Sequence, residues 1–249
     1  MIVLKSDREI KIMRESNQIV KGVLNELSLR VEEGITTREL DRLAEEKIRK
    51  QGATPAFLGY RGYPFTICAS VNEEVVHGFP SKRRLREGDI ISIDVGALFQ
   101  GYYGDAAVTV PVGQVSELAR RLITVTRESL ELAIEKVRVG NRIFDISAVI
   151  QDRVESEGFS VVRDFVGHGI GREMHEPPQI PNFRMDEGSV QIKIKPGMVL
   201  AIEPMVNVGS CEVDILADGW TAVTRDRSLS AHFEHTVAAT ADGPVVLSS

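Results

Sequence analysis

The sequence predicts an α+β fold, with two related helix-helix-strand-strand halves around a central antiparallel sheet, in one domain spanning residues 1–249. Three observations predict it. Val31-Glu32-Glu33-Gly34, followed by Leu40, Leu43, Ile48 and Gly52, maps onto Val137-Arg138-Val139-Gly140, followed by Ile146, Val149, Val154 and Gly158, at a spacing of 106 residues. Each copy reads as a helix end, a glycine turn and a second helix stopped by glycine. Strand-like runs follow each helix pair. No Pro-, Gly- or Ser-rich linker separates the halves, which puts a site between them within one domain.

Taken in order, Ser6 with Glu9 and Thr36 with Glu39 form capping boxes that start the first two helices. The first helix buries Ile10, Met13, Val20, Leu24 and Leu27 at helical spacing. Residues 117–138 supply its counterpart in the second half. Residues 90–99 and 102–110 are apolar and β-prone, with Gln100-Gly101 between them as a turn signal. A hairpin folded about residues 99–100 pairs positions whose numbers sum to 199, which sets Asp94 directly opposite Asp105 on one side of the sheet.

Five side chains suited to metal ligation recur along the chain, namely Asp94, Asp105, His168, Glu203 and Glu234. Two aspartates on a hairpin are most often solvated, but Ile90-Ile91-Ser92-Ile93-Asp94-Val95 is too apolar for a solvated strand. Glu203 closes the apolar run Val199-Leu200-Ala201-Ile202 and needs a partner to be tolerated there. Four carboxylates and an imidazole converging on one site carry too much negative charge to be buried without cations. Two divalent metals would offset it.

All five histidines fall in motif-like segments. His77 sits on a loop marked by Gly78 and Pro80. Glycines on both sides of His168 allow close backbone approach to an ion. His175 lies seven residues further on, so a bend must intervene if both rings face one pocket. Period-two alternation places His232 and Thr236 on the face of Glu234, with His235 on the other. His232 is therefore expected behind the ligands and His235 away from them.

Net charge is −6, which argues against general affinity for nucleic acid or anionic membrane. No run of about 18 apolar residues reads as a membrane span. The N-terminus carries no signal-peptide pattern, and Cys68 and Cys211 form neither a disulfide framework nor a Cys-x-x-Cys pair. A cytoplasmic, monomeric protein is expected.

Together these segments resemble the type I methionine aminopeptidases of the short bacterial form. The motifs carrying the resemblance are Val71-Asn72-Glu73-Glu74-Val75-Val76-His77-Gly78, Asp94-Val95-Gly96 with Gly104-Asp105-Ala106-Ala107, Gly167-His168-Gly169-Ile170-Gly171, Ala201-Ile202-Glu203-Pro204-Met205 and Phe233-Glu234-His235-Thr236. The resemblance covers nearly the whole chain and implies the pita-bread fold, a pseudo-symmetric domain with a dimetal site between its halves. It implies that Asp94 chelates one metal, that Asp105 and Glu234 bridge both, and that His168 and Glu203 complete the second site. The two ions would be Co, Mn, Fe or Zn.

The resemblance also implies removal of N-terminal methionine from nascent polypeptides when the second residue is small. His77, His175 and Glu203 would be the catalytic residues, with Glu203 the proton shuttle and His77 and His175 contacting the scissile amide. Tyr60, Tyr63, Cys68 and Trp220 would form the methionine pocket, with Phe57 and Met174 nearby. Two departures stand out. Met174 precedes the second loop histidine, where some relatives carry Phe, and Arg61 stands where an uncharged residue or His is expected. Aminopeptidase P and prolidase share the implied ligand set but usually carry a large extra N-terminal domain, whereas only about seventy residues precede His77 here. The type II relative carries a late insert, for which the stretch from His175 to Glu203 is too short. A non-catalytic peptide-binding relative would be expected to have lost ligands. The basic run Lys82-Arg83-Arg84-Leu85-Arg86 reads as a solvated turn, with a transient ribosome contact as the sharper alternative.

Overall fold

The computed structural model describes residues 2–185 and 191–249. The first half runs α1 (Asp7–Arg30), α2 (Thr37–Lys50), β1 (Thr54–Pro55), a 3₁₀ turn at Tyr60–Gly62, β2 (Ile67–Val71), β3 (Glu74–Val76), β4 (Ile90–Phe99) and β5 (Tyr102–Pro111). The second runs α3 (Glu117–Glu135), α4 (Ile143–Glu155), β6 (Ser160–Val161), β7 (Gly167–Gly169), β8 (Glu176–Ile180), β9 (Val199–Ile202), β10 (Met205–Asn207), β11 (Val213–Ile215), β12 (Ala222–Thr224), β13 (Ser230–His232), β14 (Glu234–Thr240) and β15 (Gly243–Val246). A nine-stranded antiparallel sheet, ordered β1-β4-β5-β14-β9-β7-β8 with β2 on β4 and β15 on β14, crosses both halves. They join where β5 pairs β14, with Glu234 opposite Ala107.

Both predicted capping boxes form. The Ser6 hydroxyl accepts from Glu9 N while Glu9 accepts from Ser6 N at 2.9 Å, and Thr36 with Glu39 repeats the arrangement at 2.8 Å. The predicted repeat is physical. Gly34 and Gly140 take φ of 92° and 95°, and Gly52 and Gly158 take 74° and 78°, backbone that only glycine adopts without strain. Each helix pair is tied back to the sheet region in the same way. Gly34 N donates to Leu85 O and Leu85 N to Ile35 O, just as Gly140 N donates to Ile194 O and Ile194 N to Asn141 O.

Alternation along the strands separates core from site. Ile91, Ile93, Val95 and Ala97 on β4 pack with Val20, Leu24 and Leu27 of α1 and Leu40 and Ile48 of α2. Leu200, Ile202, Val237 and Ala239 pack with Leu122, Leu130, Ile146 and Ile150 of α3 and α4. Burying each such side chain contributes about 1.5–3 kcal/mol, which fixes which face of each strand points inward. The opposite face carries Asp94, Asp105 and Glu234.

One expectation is corrected. The hairpin turns on Gln100-Gly101, both at positive φ (49° and 80°), so pairs sum to 201. Asp94 faces Ala107, and Asp105 faces Gly96. A two-residue loop with both central residues left-handed matches the twist of the flanking strands and is therefore the favoured closure. Asp94 and Asp105 are diagonal rather than opposed. The register differs by two positions, so they stay on one face.

The basic run is solvated at its cations, as expected, with local contacts at Arg83, Arg84 and Leu85. Leu85 is buried, Arg83 pairs with Glu74 at 3.2 Å, and Arg84 donates to Gly34 O at 2.6 Å. Lys82, Arg84 and Arg86 remain exposed.

Candidate active site

The sheet borders a cavity of about 160 Å³ lined by Asp94, Asp105, His168, Glu203 and Glu234, together with Phe57, Tyr60, Arg61, Tyr63, Cys68, His77, His175 and Trp220. All five predicted ligand positions therefore face one space. Ligand atoms of Asp105, His168 and Glu234 lie within 4.8 Å of one another. The His168 Nε2 is 3.6 Å from Glu203 Oε1, which joins a fourth residue to the group.

His168 lies on β7 opposite Ala201, and the chain bends through residues 171–175 before β8. That bend brings the His168 and His175 rings to 4.3 Å between centroids, as the spacing required. His168 Nδ1 donates to Gly169 O at 2.9 Å, leaving Nε2 as the free acceptor toward the cavity. A backbone carbonyl on the far nitrogen is the usual arrangement behind a metal-ligating histidine. Burial, and then His175, hold the His168 imidazole down at about 3, so it is neutral and able to ligate.

The carboxylates fit cations. Burial first, and then neighbouring carboxylates, push Asp105, Glu203 and Glu234 well above the ordinary range, and burial likewise raises Asp94. Among the described residues, Asp94 Oδ1, Asp105 Oδ1 and Glu234 Oε1 are buried with no hydrogen-bond partner. Leaving such acceptors bare costs about 1–3 kcal/mol each, more when charged, and oxygen-ligated divalent cations remove that cost.

The backbones of the candidate ligands are braced. Thr236 Oγ1 donates to Asp105 O at 2.7 Å, Asn17 Oδ1 accepts from Asp105 N at 3.3 Å, and Asn182 Nδ2 donates to Glu203 O at 3.0 Å. Asn17 and Asn182 escaped the sequence reading because no local pattern distinguishes a buried supporting amide from a turn residue. His232 sits behind Glu203, with Nε2 3.9 Å from Glu203 Oε2, while His235 turns away to Ser248 Oγ at 2.8 Å.

The other predicted residues line the mouth and walls. His77, at φ 60°, meets Phe165 and Trp220 edge-on at 5.2 and 6.1 Å, and burial lowers it to about 4. Phe165 was not anticipated. The Tyr60 hydroxyl lies 2.8 Å from His175 Nδ1, and the two rings stack at 5.4 Å. Burial, then the charge of Arg61, lowers His175. Tyr63 is fixed as a wall by donating to Ile67 O and Gly78 O at 3.0 and 3.1 Å, and packs edge-on against Trp220. Phe57 reaches the cavity because Gly96 has no side chain; a Cβ there would stand 2.6 Å from the ring. Met174 is buried outside the lining.

The profile of metallopeptidase family M24 matches residues 11–241. A methionine aminopeptidase of Clostridium perfringens is 55% identical over 248 residues, covering 99% of this chain and 98% of that one. This chain belongs to metallopeptidase family M24, among the methionine aminopeptidases. The crystal structure of methionine aminopeptidase from Thermotoga maritima matches with a TM-score of 0.97 at 48% identity, covering all of both chains. The prolidase from Pyrococcus horikoshii matches with a TM-score of 0.81 at 24% identity over 64% of that chain, and so shares the fold. The pita-bread architecture implied by the motifs is the one observed.

Proposed function

We propose that this metallopeptidase removes the N-terminal methionine of nascent proteins when the second residue is small, by hydrolysing the first peptide bond. The observation that carries the reading is the set of bare, buried carboxylate oxygens around His168 Nε2, at the base of a cavity walled by Tyr60, Tyr63, Cys68 and Trp220. Asp94, Asp105, His168, Glu203 and Glu234 would hold two divalent ions, drawn from Co, Mn, Fe or Zn. When bound, the ions supply Lewis acidity that lowers the pKa of water and polarises a peptide carbonyl.

The chain's own side chains do the rest. Glu203, already inclined to hold a proton, would accept the proton of the attacking water at the carboxylate that faces His168 and His232 and pass it to the leaving amine. With the Tyr60 hydroxyl donating to Nδ1, His175 presents Nε2–H to the oxygen on which negative charge develops. His77, held edge-on by Phe165 and Trp220, contacts the scissile amide. The methionine side chain meets Tyr63, Trp220, Phe57 and the Cys68 sulfur, an apolar and polarisable surface suited to a thioether.

The enzyme is proposed to act as a cytosolic monomer, with Lys82 and Arg86 available for a transient ribosome contact. Proline-directed cleavage is not favoured, because likeness over the whole length is to methionine aminopeptidases. Release of methionine from Met-Ala-Ser and not from Met-Leu-Ser, with Mn(II) or Co(II) added, is the expected result. Cleavage of Xaa-Pro peptides alone would overturn the assignment, and no turnover with any metal would favour a peptide-binding relative.

A further inference from the structure

The departure at Arg61 has a defined place in the structure. Arg61 occupies the 3₁₀ turn Tyr60–Gly62 at φ 50° and ψ 23°, between Gly59 and Gly62 at φ 86° and 91°. Left-handed backbone is uncommon for a side chain of this size, and here it sets an exposed arginine on the rim of the cavity. The guanidinium lies 5.3 Å from the centroid of the Tyr60 ring, a cation–π placement that limits where the charge can swing. Among the described residues, no carboxylate lies within 4.0 Å of it, and no other Lys or Arg lines the cavity. Within the described residues, the cationic rim position is thus free of an internal anion.

A bound peptide has one way out. With its first side chain inside and its first peptide bond at His77 and His175, the remaining chain must leave through the mouth. The Tyr60 ring lies 5.4 Å from the His175 ring and 5.3 Å from the guanidinium, which puts the guanidinium no more than about 11 Å from His175. At about 3.3–3.6 Å per extended residue, that span is covered by two to three residues.

Resting on the aminopeptidase reading above, we propose that Arg61 is a specificity-determining residue that favours nascent chains carrying Asp or Glu at the third or fourth position. The interaction is a solvent-facing pair, so its effect is modest and screened by salt.

The test uses amidated tetrapeptides, so that no terminal carboxylate competes. Met-Ala-Asp-Leu and Met-Ala-Leu-Asp are each compared with the matched Asn and Lys peptides by kcat/KM. The full-length, Mn(II)-loaded enzyme should prefer at least one Asp peptide over its Asn match by about two- to five-fold. That ratio should shrink toward one at about 0.5 M salt. Arg61→Gln should bring it to about one at low salt, and Arg61→Glu should shift preference to the Lys peptide. Because the readout is a ratio within one variant, a general loss of turnover does not mimic it. An unchanged ratio in Arg61→Gln overturns the proposal while leaving the aminopeptidase reading intact. Absence of turnover on every peptide overturns both.

Discussion

As a proposed metal ligand, Asp105 would be costly to the metal-free protein and required by the loaded one. Its carboxylate is buried beside Asp94 and Glu234, with Oδ1 bare, and all these influences raise its pKa. Keeping such a group charged costs about 1.4 kcal/mol for every tenfold weakening of its acidity. Asp105→Asn keeps the shape and removes the charge, so near neutral pH the metal-free variant should melt higher. A gain of about 1 kcal/mol corresponds to roughly 2–4 °C in a chain of this size. The same variant should lose the stabilisation conferred by Mn(II) and lose turnover by more than about 100-fold. Thermal melts with and without metal check both halves. A metal-free Tm equal to wild type, together with retained turnover, would remove Asp105 from the centre.

At the scale of elements, the segment before α1 is tied to the loop that presents His175. Lys5 is buried and pairs with Glu176, whose Oε1 accepts from Arg172 N at 2.9 Å and Glu173 N at 3.3 Å. Removing one partner leaves the other charge stranded, which costs about 3–5 kcal/mol. Lys5→Met should therefore destabilise by that order in urea unfolding, and Lys5→Met with Glu176→Gln should recover part of it. Additive losses would mean that the two side chains do not act as a pair. Nothing in the sequence pairs positions 171 residues apart, so this brace was not legible there. The β4–β5 hairpin was partly legible. Its strands and turn residues stand in the composition, but the pairing depends on whether the turn closes on 99–100 or on 100–101. Parity survives that ambiguity, which is why the shared face of Asp94 and Asp105 was readable and their opposition was not.

Across the whole molecule, the two halves share more than the helix pairs. Gly88 and Gly197 take φ of 93° and 86°, and each precedes an apolar strand that leads to a carboxylate, Asp94 or Glu203. The two segments stand 109 residues apart rather than 106, so a fixed-period reading of the sequence finds the helices and misses this second correspondence. Two of the four acids therefore come from each half, Asp94 and Asp105 from the first and Glu203 and Glu234 from the second, and the site exists only where both halves meet. That concentration of acids dictates the pH response of the metal-free protein. A carboxyl group whose folded pKa lies above its unfolded value binds its proton more tightly when folded, so its contribution to stability is lost as pH rises. Asp94, Asp105, Glu203 and Glu234 all shift this way. The buried histidines have the opposite sign. His77 and His235 are held at about 4, and His168 and His232 at about 3, so they remove stability as pH falls below about 6.5. The two groups oppose each other between about pH 4.5 and 6.5, and above that range only the carboxylates still titrate. In chelator, Tm should accordingly fall from about pH 6.5 to about pH 8. With saturating Mn(II) the trend should reverse, because the ligands bind the ion deprotonated and affinity grows with pH. Calorimetric scans across this interval decide it: a metal-free Tm that rises with pH would mean that the four carboxylates are not held together in the folded chain.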